Sequence, residues 1–123
     1  MIGLEVVFLE KNSILSRVVD DIYFEQETPF GIVIRTTKEY WERIITIKHP
    51  SVAKFTNEVK QALREPDQVR RSKRDQQVHL YYKSLGKLWV CVVTDHLNKK
   101  EGYVITAYLT DRIKEGEPVY DKN

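Results

Sequence analysis

The chain has 123 residues, of which 41% are hydrophobic and 31% are charged, and its formal net charge is +2. This composition is typical of one globular domain and excludes a disordered or fibrous chain. With so small a net charge, attraction for a polyanion must come from uneven placement of charged residues. No apolar stretch approaches the roughly 20 residues that cross a bilayer, and the N-terminus lacks the basic start of a signal peptide, so we expect a cytoplasmic protein without membrane contact.

The single cysteine, Cys91, lies inside an apolar run that extends from Leu88 to Val93. One thiol cannot form an internal disulfide, and its apolar neighbours predict a buried, reduced side chain. The sequence contains no Gly-rich phosphate loop, no HExxH motif, no cysteine pair and no dense carboxylate cluster. We therefore expect neither a metal site nor another cofactor.

Residues 1–37 are predicted to form a β-rich extension that packs on the core. Alternating apolar residues predict strands over residues 3–9 and 14–24, and a further short strand over residues 32–35. A proline and a glycine make residues 27–31 a loop. This part of the chain carries few reactive side chains, so we expect it to have a structural role.

A short helix is predicted next. Thr36 and Thr37 are good N-cap residues, and Trp41, Ile44 and Ile45 follow at the spacing of one apolar helix face.

A second helix is predicted after the break at His49 and Pro50, because proline suits the first position of a helix. Apolar residues at helical spacing continue from Val52 to Leu63. The helix should end at Glu65, since the residue before a proline is pushed out of helical geometry.

From Val69 onward the apolar period changes from 3.6 to 2, which predicts strands over residues 69–72, 78–83, 88–93 and 102–109. The links between them are short and polar, so neighbouring strands should be antiparallel. Two helices followed by a four-stranded antiparallel sheet form an α+β domain, here over residues 38–116. Residues 117–123 are predicted to be a frayed tail.

Strand alternation predicts which side chains share a face of this sheet. We expect the helices to cover one face and the other, open face to present polar side chains that can bind phosphate. The residues predicted on the open face are His79, Tyr81, Lys83, Thr106, Tyr108 and Thr110. The alternative is a solvated face on which Thr and Tyr are favoured by β-propensity alone.

Basic residues concentrate between Arg64 and Lys87, where seven Lys or Arg stand against three Asp or Glu. They are interleaved with aromatic residues, which is the usual pairing of phosphate attraction with base stacking. The residues predicted to contact RNA are Lys73, Arg74, Lys83 and Tyr82. The alternative is that these cations belong to a solvent-exposed turn and have no binding role.

His49 lies between the two predicted helices, next to a proline. Histidine changes protonation near neutral pH, which suits acid–base catalysis. The alternative is a structural or solvent-facing histidine at a helix end. His79 and His96 are weaker candidates, because His79 fits a strand surface and His96 a turn.

Several segments together resemble a known family. They are Lys48-His49-Pro50, the Pro66-x-x-Val69 step into the sheet, Tyr81-Tyr82, the apolar strand before Thr94, and Ile105-Thr106-Ala107-Tyr108. Over about residues 40 to 116 the chain resembles the phage- and bacteria-associated PBECR and DUF4258-like domains of the barnase–EndoU–colicin E5/D–RelE superfamily. Residues 1–37 have no counterpart in that family.

The resemblance implies a RelE-like fold of helices followed by four strands, and RNA cleavage without a metal. The implied catalytic residues are His49 as acid–base residue, Arg70 or Arg71 at the scissile phosphate, and Tyr81 or Tyr82 with Thr106 and Tyr108 on the sheet. The expected function is a metal-independent endoribonuclease, in one form a toxin neutralised by a separate antitoxin or immunity protein. The alternative is an inactive RNA- or protein-binding module on the same fold.

Overall fold

The computed structural model describes residues 21–113 and 116–122. The strand predicted over residues 3–9, and most of the one predicted over residues 14–24, lie outside the described residues. The described part opens with an antiparallel hairpin of β1 (Ile22–Glu27) and β2 (Val33–Thr37). Gly31 in the turn has a φ of 77°, a conformation that glycine adopts without strain.

The first helix, α1 (Lys38–Arg43), begins as predicted, because the side chain of Thr37 accepts a hydrogen bond from the backbone N–H of Tyr40. The chain continues as a π-helical turn (Ile44–Lys48). The predicted second helix is divided into a 3₁₀ segment (Pro50–Phe55) and α2 (Thr56–Arg64). Within the described residues, no helix is long and apolar enough to span a lipid bilayer.

Five further strands follow α2: β3 (Gln68–Arg71), β4 (Val78–Leu85), β5 (Leu88–His96), β6 (Glu101–Thr110) and β7 (Glu117–Asp121). All seven strands belong to one sheet, in the order β1-β2-β6-β5-β4-β3-β7. Neighbouring strands are antiparallel except for β2 and β6, which are parallel. The described chain is therefore α+β, as predicted.

The predicted four-stranded sheet is too small, because strands join it at both edges. At one edge the β1–β2 hairpin pairs with β6. At the other edge, residues predicted to fray form β7 along β3. Arg71 pairs with Glu117 across these two strands, and Val119 and Tyr120 pack against the core. Fraying of residues 117–123 was predicted from their local composition alone. Composition carries no information about a partner strand that is distant in the chain.

The helices cover one face of the sheet, here called the helix face, and the opposite face is called the second face. Side chains of α2 and of the central strands form one buried cluster on the helix face. Its fully buried members include Val59, Ala62, Leu63, Val69, Tyr81, Val90, Val92 and Ala107. Burial of these side chains from both layers supplies the main favourable term in folding.

Candidate functional site

The strand register separates two tyrosines that the sequence predicts on one face. Directly opposed residues of antiparallel strands point to the same side of the sheet. Tyr81 lies opposite Val92, which lies opposite Ala107, so Tyr81 points to the helix face. Tyr108 lies opposite Cys91 and points to the second face. His79 and Lys83 share the face of Tyr81. The prediction that these three side chains share an open face with Thr106 and Tyr108 is therefore wrong, because alternation within each strand does not fix the register between strands.

His49 lies beside Tyr108 at the edge of the sheet. The centroids of the two rings are 5.4 Å apart and their planes are inclined by 41°. The helical segment before His49 is fixed to this edge, because the Tyr40 hydroxyl donates a hydrogen bond of 2.6 Å to the Ile105 carbonyl. The backbone N–H of His49 donates to the Ile44 carbonyl at 2.7 Å. The structure thus brings together two of the residues predicted for the site.

The phenol of Tyr108 stays protonated at neutral pH. Burial is the main cause that raises its pKa, and the neighbouring side chains of Cys91 and Tyr82 raise the pKa further. A protonated phenol donates a hydrogen bond but does not accept a proton as a base. Tyr108 can therefore act as a hydrogen-bond donor but not as a base, and the side chains of Cys91 and Tyr82 are hydrogen-bond partners of its phenol.

Thr106 lies on the same face as Tyr108, two residues earlier in β6. Its hydroxyl oxygen is buried and has no hydrogen-bond partner within the described part of the chain. A buried polar group without a partner costs about 1–3 kcal/mol. A ligand oxygen at this position would give the hydroxyl a partner.

The two candidate arginines of β3 point to opposite faces. Arg70, Leu80, Val93 and Thr106 form one row across four neighbouring strands on the second face. Three strand spacings separate the ends of this row, which places the Cα atoms of Arg70 and Thr106 about 14 Å apart. Arg70 is thus on the predicted face but too distant to contact a group held by Thr106. Arg71 points to the helix face.

The two arginines also differ in their hydrogen-bond and ion-pair partners. Arg70 donates to Gln68 Oε1 at 3.3 Å and to the Gly116 carbonyl at 3.2 Å, and forms no ion pair within the described residues. Arg71 forms an ion pair with Glu117. The charge of Arg70 is therefore the one available to a phosphate on the second face.

The four residues predicted to contact RNA differ in exposure: two are exposed and two are largely or fully buried. Lys73 and Arg74 are exposed in the loop between β3 and β4. Lys83 is only 15% exposed and lies 3.8 Å from Asp67 Oδ1. Tyr82 is 0% exposed. The prediction that Tyr82 stacks on a base is wrong, because its ring is not accessible.

The helix face holds a second cluster of titratable groups. It includes His79 and His96, which the sequence indicated as weaker candidates than His49. The rings of His79 and His96 stack with centroids 3.7 Å apart and planes inclined by 6°. The Tyr81 hydroxyl lies 2.9 Å from Nε2 of His96. Phe30 packs against His96 with centroids 6.0 Å apart.

Both stacked imidazoles are held neutral. Burial lowers the pKa of His96 to about 4, and the neighbouring His79 lowers it further. The pKa of His79 is also lowered, mainly by burial and in part by Arg71. A sequence signal for this cluster exists: a two-residue turn between Leu85 and Leu88 fixes the register of the β4–β5 hairpin.

Comparison with known proteins finds no family model, no curated protein and no solved structure that matches the chain.

Proposed function

We propose that the chain is a metal-independent endoribonuclease of the barnase–EndoU–colicin–RelE kind, with its catalytic centre at His49 and Tyr108. The observation that supports this most directly is the 5.4 Å separation of the two rings at the edge of the sheet. The buried hydroxyl of Thr106 on the face of Tyr108, which has no hydrogen-bond partner among the described residues, adds a hydrogen-bonding group. The resemblance of the segments around all three residues to that superfamily points to the same set.

The proposed reaction is an internal transesterification, for which RNA carries its own nucleophile. The 2′-oxygen forms a bond to the adjacent phosphorus while the bond from phosphorus to the 5′-oxygen breaks. His49 accepts the proton of the 2′-hydroxyl, and the leaving 5′-oxygen takes up a proton from the imidazolium or from water. The products are a 2′,3′-cyclic phosphate and a 5′-hydroxyl.

Tyr108 and Thr106 serve as donors in this scheme. Negative charge grows on the phosphoryl oxygens during attack, and preorganised donors stabilise it most effectively. The raised pKa of Tyr108 keeps its proton in place for this role. Arg70, about 14 Å away by strand spacing, would hold a neighbouring phosphate of the same RNA strand. Arg71 and Tyr81 have no part in this centre.

The test is cleavage of end-labelled RNA by the purified protein in the presence of EDTA. We expect fragments that end in 2′,3′-cyclic phosphate, and we expect no cleavage of the same sequence made with 2′-deoxyribose. His49→Ala should reduce the cleavage rate by about 10²–10⁴-fold, the usual contribution of a general acid–base group. Circular dichroism should show the variant folded.

The matched control is His79→Gln, which removes an imidazole from the helix-face cluster and should leave cleavage unchanged. If His49→Ala cleaves as fast as the unmodified protein, the assignment of the catalytic centre fails. Salt-sensitive RNA binding without any cyclic-phosphate product would instead identify a non-catalytic RNA-binding module.

A further inference from the structure

Two loops that lie apart in the sequence meet at one end of the sheet. The first connects β3 to β4 (residues 72–77), and the second connects β5 to β6 (residues 97–100). The backbone N–H of His96 donates to the Gln77 carbonyl at 2.7 Å, so the two loops leave the sheet side by side. Together they are here called the loop surface.

The loop surface carries four exposed cations, which are Lys73, Arg74, Lys99 and Lys100. None of the four forms an ion pair with another residue of the described chain. Two cations of the adjoining strands differ, because Arg35 pairs with Glu101 and Arg71 pairs with Glu117. The charges of the loop surface are therefore available to a partner outside the chain.

This end of the sheet is positively charged even when its carboxylates are counted. With the strand ends that lead into the loops, residues 70–77 and 95–101 hold six Lys or Arg against three Asp or Glu, a local charge of +3. The β1–β2 loop adjoins the second loop, since the N–H of Val33 donates to the Lys100 carbonyl at 2.9 Å, and its residues 28–32 carry no charge. A polyanion is the partner that such a surface attracts.

Polar side chains fix the backbone of both loops. In the first loop, Asp75 Oδ1 accepts a hydrogen bond from the N–H of Gln77 at 3.0 Å. In the second loop, Asn98 Oδ1 accepts one from the N–H of Lys100 at 2.8 Å. Asp and Asn side chains stabilise turns in this way. Because the loop backbone is already ordered, less conformational freedom is lost when the cationic side chains contact a ligand.

The loop surface and the proposed catalytic centre lie at different points along β6. Gly102 pairs with His96 beside the second loop, and Tyr108 follows six residues later in the strand. At about 3.3 Å per residue, the two positions are roughly 20 Å apart. We propose that the loop surface binds phosphates of the RNA strand that leads away from the cleaved bond. This inference rests on the proposed function, and it adds that the substrate is an RNA long enough to span that distance.

The test measures binding of a labelled single-stranded 2′-O-methyl RNA of about 12 nucleotides, a length within the site sizes of strand-binding proteins. The methyl group blocks the attacking oxygen, so binding is measured without cleavage. The affinity of the unmodified protein should fall as salt is added, because contacts to phosphates release counterions. The loop variant combines Lys73→Gln, Arg74→Gln, Lys99→Gln and Lys100→Gln. It should reduce the slope of log K against log salt by up to about 3, since each phosphate contact contributes about 0.7.

The matched control removes the same charge elsewhere, by Lys38→Gln, Arg43→Gln, Lys54→Gln and Lys87→Gln. These cations are also exposed and without an ion pair among the described residues, and their loss should leave the slope close to that of the unmodified protein. An equal reduction in both variants, an unchanged slope in the loop variant, or no binding by the unmodified protein at low salt would overturn the proposal.

Two further outcomes separate this inference from its rivals. Binding to vesicles of anionic lipid that depends on the same four cations, in place of RNA binding, would indicate a membrane surface and overturn the proposal. Loop-dependent RNA binding without cleavage of ordinary RNA would contradict the nuclease proposal alone and leave the loop surface as an RNA-binding site.

Discussion

The two faces of the sheet each hold a histidine beside a tyrosine, yet the two pairs are built differently. On the helix face, the Tyr81 hydroxyl hydrogen-bonds His96, and the imidazole stacks on a second ring. Tyr108 of the second face lies with its ring centroid 5.4 Å from that of His49, and the nearby Thr106 hydroxyl has no partner within the described residues. A cluster whose buried polar atoms are hydrogen-bonded stabilises the fold. A cluster that leaves a buried polar atom without a hydrogen bond can supply that atom to a bound ligand.

Removing one hydroxyl from each face tests this comparison, and the largest effect is expected on the second face. Tyr108→Phe should reduce RNA cleavage by about 10²–10³-fold, the loss found for one donor to a developing oxyanion. Cleavage rates under single-turnover conditions would measure it, with Tyr81→Phe as the matched control. An equal loss of cleavage in both variants would contradict the separation of the two faces.

The helix-face cluster should make stability depend on pH. An unfolded histidine titrates near 6.5, and His96 titrates at about 4 in the folded chain. Between these values the unfolded chain binds more protons, so the free energy of unfolding should fall as the pH is lowered from 6.5 to 4. Above pH 6.5 this contribution is fully present.

Urea denaturation at several pH values would measure that dependence, and His96→Gln should reduce its slope in this window. His49→Gln, which removes an imidazole but leaves the helix-face cluster intact, is the control. An unchanged slope in His96→Gln would show that other groups cause the acid sensitivity.

Tyr81→Phe should lower stability modestly. The change keeps the ring but removes the hydrogen bond to His96, for which we expect a loss of about 1 kcal/mol in the free energy of unfolding. Thermal unfolding monitored by circular dichroism would detect it. No change in the melting temperature would show that water replaces the lost partner.

The smallest effect is expected at Thr36 in β2. Thr36→Val replaces a buried hydroxyl, for which the described part of the chain offers no hydrogen-bond partner, with a methyl group of similar size. Since the hydroxyl gains no hydrogen bond there, its removal should be neutral or stabilise the chain by up to about 1 kcal/mol. A clear loss of stability in the absence of ligand would show that the hydroxyl has a partner in solution.

Local patterns in the sequence predict the individual elements well. The N-cap at Thr37, the proline at position 50 and the end of α2 at Glu65 each follow from one short-range rule. The buried state of Cys91 was also predicted, from its apolar neighbours, and is confirmed. The turn residues likewise predict the hairpin of β4 and β5, because loop length fixes its pairing.

Long-range pairing is what the sequence does not reveal. The contact of β2 with β6 and that of β7 with β3 join segments far apart in the chain, so no local pattern predicts them. The face of Tyr81 was predicted wrongly for another reason: alternation separates the two faces within one strand, but it does not say which face of β4 continues into which face of β5 and β6. The approach of His49 to Tyr108 was predicted from a resemblance, because spacing alone does not place a helix end over a strand.

The parallel contact between β2 and β6 has a consequence for the order in which the chain folds. It joins residues 33–35 to residues 101–103, so during synthesis β2 lacks its partner strand β6 until the last quarter of the described chain has emerged. The β4–β5 hairpin, closed by its short turn, meets no such delay. Folding should therefore start in the middle of the sheet, with the N-terminal hairpin waiting as an exposed edge that is vulnerable to aggregation.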